Sequence, residues 1–184
     1  MKKLLNILLP LSLFWMLTAS RCKKDVLPPE TQDGKNTIGC YIDGELFVPG
    51  GGGLAPIKTC YYQLIYPSES GYVFQLAAKR HENNDCGLKA ITITLDSIRI
   101  VEGNTYKLSF YKVGNGNGRY NHYPPVCGDP IKFETFDESS GEIYFRKFDE
   151  VNHIAAGTFW FTAVNSLGDT VKITDGRFDM EFTR

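Results

Sequence analysis

What this chain lacks most is a helical signal. No segment repeats apolar residues at three- and four-residue spacing over three turns, and Gln75–Glu82, the nearest candidate, is short and follows a strand-like run. Zinc-protease chemistry needs two histidines on one helix face, and the three histidines, His81, His122 and His153, stand far apart. No Cys-x-x-Cys pair is present, which removes the usual sulfur-ligated metal and thiol-redox sites. No Gly-x-Ser-x-Gly elbow occurs, and Ser139-Ser140 falls in a turn. Gly114–Arg119 is rich in glycine but lacks the Gly-Lys-Ser/Thr ending and following helix of a phosphate loop, so it reads as a flexible loop. Carboxylates are scattered over turns and nothing selects a pair of them. The expectation is a protein that is not an enzyme, with no catalytic residue, no cofactor and no metal.

A long apolar run occurs only at the N-terminus, where Met1-Lys2-Lys3 leads into Leu4–Leu17. About twenty apolar residues are needed to cross a bilayer, and Asn6 and Pro10 interrupt this shorter stretch. The layout is that of a secretory signal peptide over residues 1–21. Behind it, Thr18-Ala19-Ser20-Arg21-Cys22-Lys23-Lys24-Asp25 resembles a bacterial lipobox of Bacteroidetes type. That resemblance implies acylation of Cys22 and a lipid anchor in the cell envelope, with the outer membrane the expected place. Arg21 departs from the small residue such motifs carry before the cysteine, and cleavage after Ser20 without lipidation is the alternative. Residues 22–35, polar and containing Pro28-Pro29, read as a tether between anchor and domain.

Charge of one sign is also missing. Loss of residues 1–21 removes Lys2, Lys3 and Arg21 and no acid, leaving 17 basic against 21 acidic side chains, a net charge of −4. Nucleic acid is excluded as a partner, because its phosphates require a basic patch. Four cysteines follow Cys22, namely Cys40, Cys60, Cys86 and Cys127. An even count in an exported chain suggests two disulfides of undetermined pairing, and burial as free thiols is the alternative.

What the chain does have is strand signal. Residues 36–184 suffice for one domain, and short apolar or alternating runs recur between Gly, Pro, Asn and Asp clusters. Thr37–Ile42 and Glu45–Val48 flank Asp43-Gly44, a two-residue hairpin signal. Thr59–Tyr66 and Tyr72–Lys79 form a second hairpin about Pro67–Gly71. Lys89–Leu95, Thr105–Lys112, Ile131–Phe136 and Gly141–Phe148 are further strands. In Gly157–Val164, Phe159, Phe161 and Ala163 share one face and Thr158, Trp160 and Thr162 the other. In Thr170–Phe182, Val171 and Ile173, then Phe178, Met180 and Phe182, point inward on either side of a break at Asp175-Gly176, while Asp179 points outward. Period-two alternation of this kind predicts antiparallel strands with one wet face. The fold class is therefore all-β, an antiparallel β-sandwich, with a flattened lipocalin-like β-barrel as the alternative.

Leu27–Gln32 and Thr37–Pro49, together with Gly157-Thr158-Phe159 and Ile173–Phe178, are similar to the two ends of an uncharacterised Bacteroidetes envelope lipoprotein family. The resemblance implies an envelope β-domain and supplies no catalytic residues.

Two features point to recognition. One is Asn115–Asp129, read as a long loop that carries Tyr120, His122 and Tyr123 among amides and prolines, either presenting them to a ligand or, stapled by Cys127 and Pro124-Pro125, packing its tyrosines down as a lid. The other is Trp160, outward among polar neighbours, where contact with a ligand or cover by a neighbouring side chain would account for it. Aromatic faces beside amides suit a glycan or a peptide. Asp96-Ser97-Ile98 and Asp169-Thr170-Val171 resemble short acceptors for O-glycosylation at Ser97 and Thr170. The functional expectation is a binding module for a glycan, peptide or partner protein. A structural or assembly component of the envelope and a lipocalin-like carrier of an apolar ligand are the alternatives.

Overall fold

The structure is a computed structural model and describes residues 26–51, 56–64, 71–82, 86–137 and 140–184. The signal segment, Cys22 and Ser139 lie outside the described residues. Eleven strands follow one another: β1 (Thr37–Ile42), β2 (Glu45–Phe47), β3 (Lys58–Leu64), β4 (Tyr72–His81), β5 (Leu88–Leu95), β6 (Thr105–Leu108), β7 (Gly116–Tyr123), β8 (Ile131–Glu134), β9 (Gly141–Asp149), β10 (Ile154–Val164) and β11 (Thr170–Glu181). There is no helix among the described residues.

All eleven strands belong to one mixed sheet in the order β2-β1-β11-β10-β9-β6-β7-β5-β4-β3, with β8 bonded to both β7 and β10. Every strand pairing is antiparallel except β6 with β7, which meet in parallel at Leu108 and Gly116. The sheet folds over until β3 and β4, at one end of the order, face β9 across the core. Phe74 of β4 meets Phe145 of β9 edge-on at 5.0 Å, and Tyr62 of β3 meets Phe148 of β9 at 5.0 Å. Phe148 in turn stacks on Phe182 at 5.2 Å. Edge-to-face and offset pairs of this kind add roughly 0.5–1.5 kcal/mol each beyond burial.

At the seam, Tyr62 N–H donates to Thr183 O (2.8 Å) and Thr183 N–H donates to Cys60 O (3.0 Å). This join is an isolated bridge, as is a second one between Gly50 and Arg80, so no continuous ladder closes a barrel and the layers stay sandwich-like.

The inward positions read in the last two strands hold. Phe159, Phe161, Ala163, Val171, Ile173, Phe178, Met180 and Phe182 are all buried. Asp43 and Gly44 both have positive φ, as the tight β1–β2 turn requires.

Three regions differ from expectation. Residues 116–123, expected within a loop, form β7, a strand that pairs with β5 along its whole length. A Cβ on Gly118 would stand 2.9 Å from the Phe161 ring, so glycine is there to admit an aromatic from the opposite layer. The strand expected over Thr105–Lys112 stops at Leu108, and Phe110 and Tyr111 lie exposed beyond it. Of the four cysteines, Cys86 and Cys127 form a disulfide with 5.0 Å between Cα atoms. Cys40 and Cys60 are free thiols packed in the core, where burial pushes both pKa values up.

The segment read as a tether is docked from Pro28 onward. Asp179, expected outward, is instead 1% exposed. It accepts from Thr31 Oγ1 (2.6 Å), Asp33 N–H (3.1 Å) and Gly34 N–H (2.8 Å). The strap then turns at Gly34 and Asn36, both at positive φ, and returns as β1.

Candidate functional site

Strand β11 holds one more residue than either neighbour at Thr174–Gly176. Gly39 and Tyr41 of β1 pair with Arg177 and Thr174, and Phe159 and Phe161 of β10 pair with Gly176 and Ile173. Such a bulge leaves the extra residue unpaired and re-aims its neighbours. Asp175 takes the left-handed conformation (φ 51°), which Asp tolerates better than most side chains. Gly176 follows it, and a Cβ there would stand 2.4 Å from the ring of Phe159. The break read at Asp175-Gly176 is therefore a bulge inside one continuous strand. Its consequence is that Thr174 and Asp175 are both exposed on the outer face, opposite Trp160.

A second bulge lies across the sheet in β9, where Ala156 pairs with Lys147 but Gly157 pairs with Phe145, leaving Arg146 extra. Arg146 and Arg177 both reach the Glu30 carboxylate of the strap, Arg177 through Nε at 3.5 Å. Arg177 Nη1 also donates to Pro28 O (3.4 Å). The strap thus forms one end wall of a groove.

That groove has a volume of about 460 Å³ and runs over the outer faces of β6, β9, β10 and β11. Its lining includes Trp160, Tyr144, Glu142, Asp175 and the hydroxyls of Thr105, Thr158 and Thr174. Trp160 is 44% exposed, so the described residues cover its ring only in part. Among the described residues the Glu142 and Asp175 carboxylates have no ion-pair or hydrogen-bond partner, whereas Glu30 and Arg177 pair with each other. An aromatic wall beside free carboxylates and hydroxyls can stack on a sugar ring and accept hydrogen bonds from its hydroxyls.

The residues singled out in the sequence do not form one site. Trp160 lies in this groove. Tyr120 and His122 lie on β7 and line a different depression of about 310 Å³, beside Ile131 and Phe133. Tyr120 is buried, 5% exposed, rather than displayed on a loop. Tyr123 ends β7 opposite Leu88 and lines neither groove. Ser97 has positive φ and bonds the Asp96 carboxylate (3.0 Å), while Thr170 is exposed at the start of β11. Tyr144, Glu142 and Asp175 of the Trp160 groove were missed. Glu142 and Tyr144 alternate with buried Ile143 and Phe145, but only the strand order brings them beside Trp160.

Fold and groove together define an all-β domain with a recessed aromatic and acidic site on its outer face. The chain belongs to the family described as a domain of unknown function, DUF6252, whose model matches residues 74–180. The matched segment runs from β4 to β11 and carries Tyr144, Trp160 and Asp175, while the strap and β1–β3 lie outside it. No curated protein and no solved structure matches the chain.

Proposed function

We propose that this chain is a non-enzymatic lipoprotein of the bacterial envelope that binds a glycan in the Trp160 groove. The observation carrying the reading is Trp160 itself, half-exposed in a recess that also holds Tyr144, two free carboxylates and three threonine hydroxyls. Trp160 stands on a strand face that otherwise carries Thr158 and Thr162, and nearly half of its surface is open to the groove. A peptide would be held chiefly by backbone pairing at a free sheet edge. This groove instead lies across the middle of the sheet, where β10 is bonded on both sides, and that placement favours rings over extended chains. A carrier of apolar ligands needs an interior cavity, and here Phe74, Phe145, Phe148, Phe161 and Phe178 fill the interior.

The test is a glycan array probed with the mature chain (residues 22–184, Cys22→Ser), beside the same chain carrying Trp160→Ala. Binding to a defined glycan that falls at least tenfold in the variant supports the reading. No saturable binding, or equal binding by the variant, overturns it. Export and anchoring rest on the signal layout and the Cys22 motif. Metabolic palmitate labelling of the full chain tests them: label lost on Cys22→Ser supports the anchor, and label absent or retained ends it.

An assembly role draws on another face. Ser109 and Thr135 are hydrogen-bonded to each other, and Phe110 and Phe136, the residues that follow them, are 46% and 49% exposed. A partner docked there would be insensitive to Trp160→Ala, and Phe110→Ser would release it.

A further inference from the structure

Trp160 stands between two carboxylates. On the β9 side, Glu142 is its direct cross-strand partner. On the β11 side, Phe159 pairs with Gly176 and Phe161 with Ile173, so the bulge places Asp175 in the stretch opposite Trp160. Both carboxylates line the groove, as does Tyr144, two residues from Glu142 along the same face of β9.

The basic side chains around the groove do not neutralise this pair. Arg177 is the one basic residue in the lining among the described residues, and it contacts Glu30, which also takes up Arg146. Lys107 stands opposite Glu142 in the β6–β9 register, but it lines a neighbouring depression of about 390 Å³ and forms no ion pair with Glu142. Lys172, on β11 before Thr174, lies outside the lining. With Glu30 and Arg177 cancelling, Glu142 and Asp175 leave the recess with an uncompensated negative charge beside its aromatic wall.

A ligand that covers Trp160 displaces water from the carboxylates on either side of it. A neutral sugar would leave them less solvated and still without a counter-charge, and an acidic sugar would add repulsion. A protonated amine supplies the counter-charge and is also attracted to the faces of tryptophan and tyrosine rings. The threonine hydroxyls of the lining remain available to the hydroxyls of the sugar.

We propose that the Trp160 groove selects amino sugars whose amine is free and protonated, with Glu142 and Asp175 as its specificity-determining residues. The inference rests on the glycan reading above and narrows it to one ligand class. An N-acetylated sugar offers the same ring but an uncharged amide, and the groove discriminates against it. Glu142 is half-buried and Asp175 exposed, so the preference weakens as salt rises.

The test compares two tetrasaccharides of one backbone, the free-amine chitosan form and its fully N-acetylated chitin form. Each is titrated calorimetrically into the mature chain (residues 22–184, Cys22→Ser) at mildly acidic pH, where the sugar amines are protonated. The expected result is saturable binding of the free-amine form, at least about tenfold tighter than the acetylated one. Glu142→Gln combined with Asp175→Asn should erase that preference and leave the acetylated form unchanged. Trp160→Ala should weaken both forms. Tetralysine, a cationic chain without sugar rings, should bind more weakly than the chitosan form.

Equal affinity for the two saccharides, or tighter binding of the acetylated one, overturns the amine proposal. So does a preference that survives the double variant, or tetralysine binding as tightly as chitosan. If neither tetrasaccharide binds while the glycan array finds another sugar that is lost in Trp160→Ala, the amine proposal falls and the glycan reading stands. If no saccharide binds in either experiment, both fall. Should the double variant fail to fold, the two saccharides on the unaltered chain decide the proposal by themselves.

Discussion

Strands β7 and β11 both carry glycine in mid-strand, yet one was hidden in the sequence and the other was plain. In β11 the buried face is supplied by its own side chains, Val171 and Ile173 before the bulge and Phe178 and Met180 after it. In β7 the residues on the buried face are Gly116, Gly118 and Tyr120, and the space over Gly118 is taken by Phe161 of β10. Alternation therefore records the volume a strand contributes, not the volume packed against it. A strand that receives aromatic rings from the opposite layer looks like a loop.

Removing the ring that links the two strands is the hardest test of this comparison. Phe161 is fully buried, and Phe161→Ala should lower unfolding free energy by about 3–5 kcal/mol in urea titrations. A loss below about 1 kcal/mol would mean that the ring does not join the layers as described.

Gly118→Ala comes next, at about 1–3 kcal/mol, because the new methyl would overlap the Phe161 ring. The same change in a Phe161→Ala background should cost well under half as much, since the cavity left by the ring accepts the methyl. Additive losses in that double-mutant cycle would break the argument that Gly118 is set by Phe161.

Legibility across the chain follows the same division. The all-β class, the Asp43-Gly44 turn and the inward residues of β10 and β11 were readable, because side-chain period and turn chemistry are local properties. Strand β7 was not, for the reason given. Asp179 was misread because its position between buried Phe178 and Met180 marks it as outward, and outward here means under the strap. No local pattern announces that Thr31, Asp33 and Gly34 converge on a residue near the other end of the chain. For the candidate site, Trp160 could be found by its phase within the strand. Tyr144, Glu142 and Asp175 could not, because they join it only through pairing and through a bulge that both neighbours of β11 share.

The strap sharpens the comparison through pH. Burial pushes the Asp179 pKa up, but the hydrogen bonds from Thr31, Asp33, Gly34 and Lys35 outweigh it and hold the carboxyl below its ordinary value of 3.8. A carboxyl lowered in the folded state stabilises fully above its unfolded pKa, and the contribution is lost as pH falls through the folded value. Stability should therefore be flat in this respect above about pH 4 and should drop below it. Asp179→Asn should cost about 1–2 kcal/mol at neutral pH and remove part of that acid slope. It should also raise amide hydrogen exchange at Asp33 and Gly34. Unchanged protection there would show that the strap is held by Glu30 and its arginines instead.

The smallest expected effect on stability falls on the residue that carries the proposed function. Trp160→Ala removes a large side chain, but one that is 44% exposed and whose strand neighbours Phe159 and Phe161 already fill the core. Its unfolding free energy should stay within about 0.5 kcal/mol of the parent, as for surface positions generally. Phe161→Ala, one residue along the same strand, should differ from it by several kcal/mol although both changes delete an aromatic ring. If Trp160→Ala instead costs more than about 1.5 kcal/mol in urea, the ring is packing against Tyr144 and the strap rather than waiting for a ligand. The groove would then be a structural seam between strap and sheet. If stability is kept and glycan binding is lost, the two faces of β10 divide cleanly, one holding the layers together and the other reading the sugar.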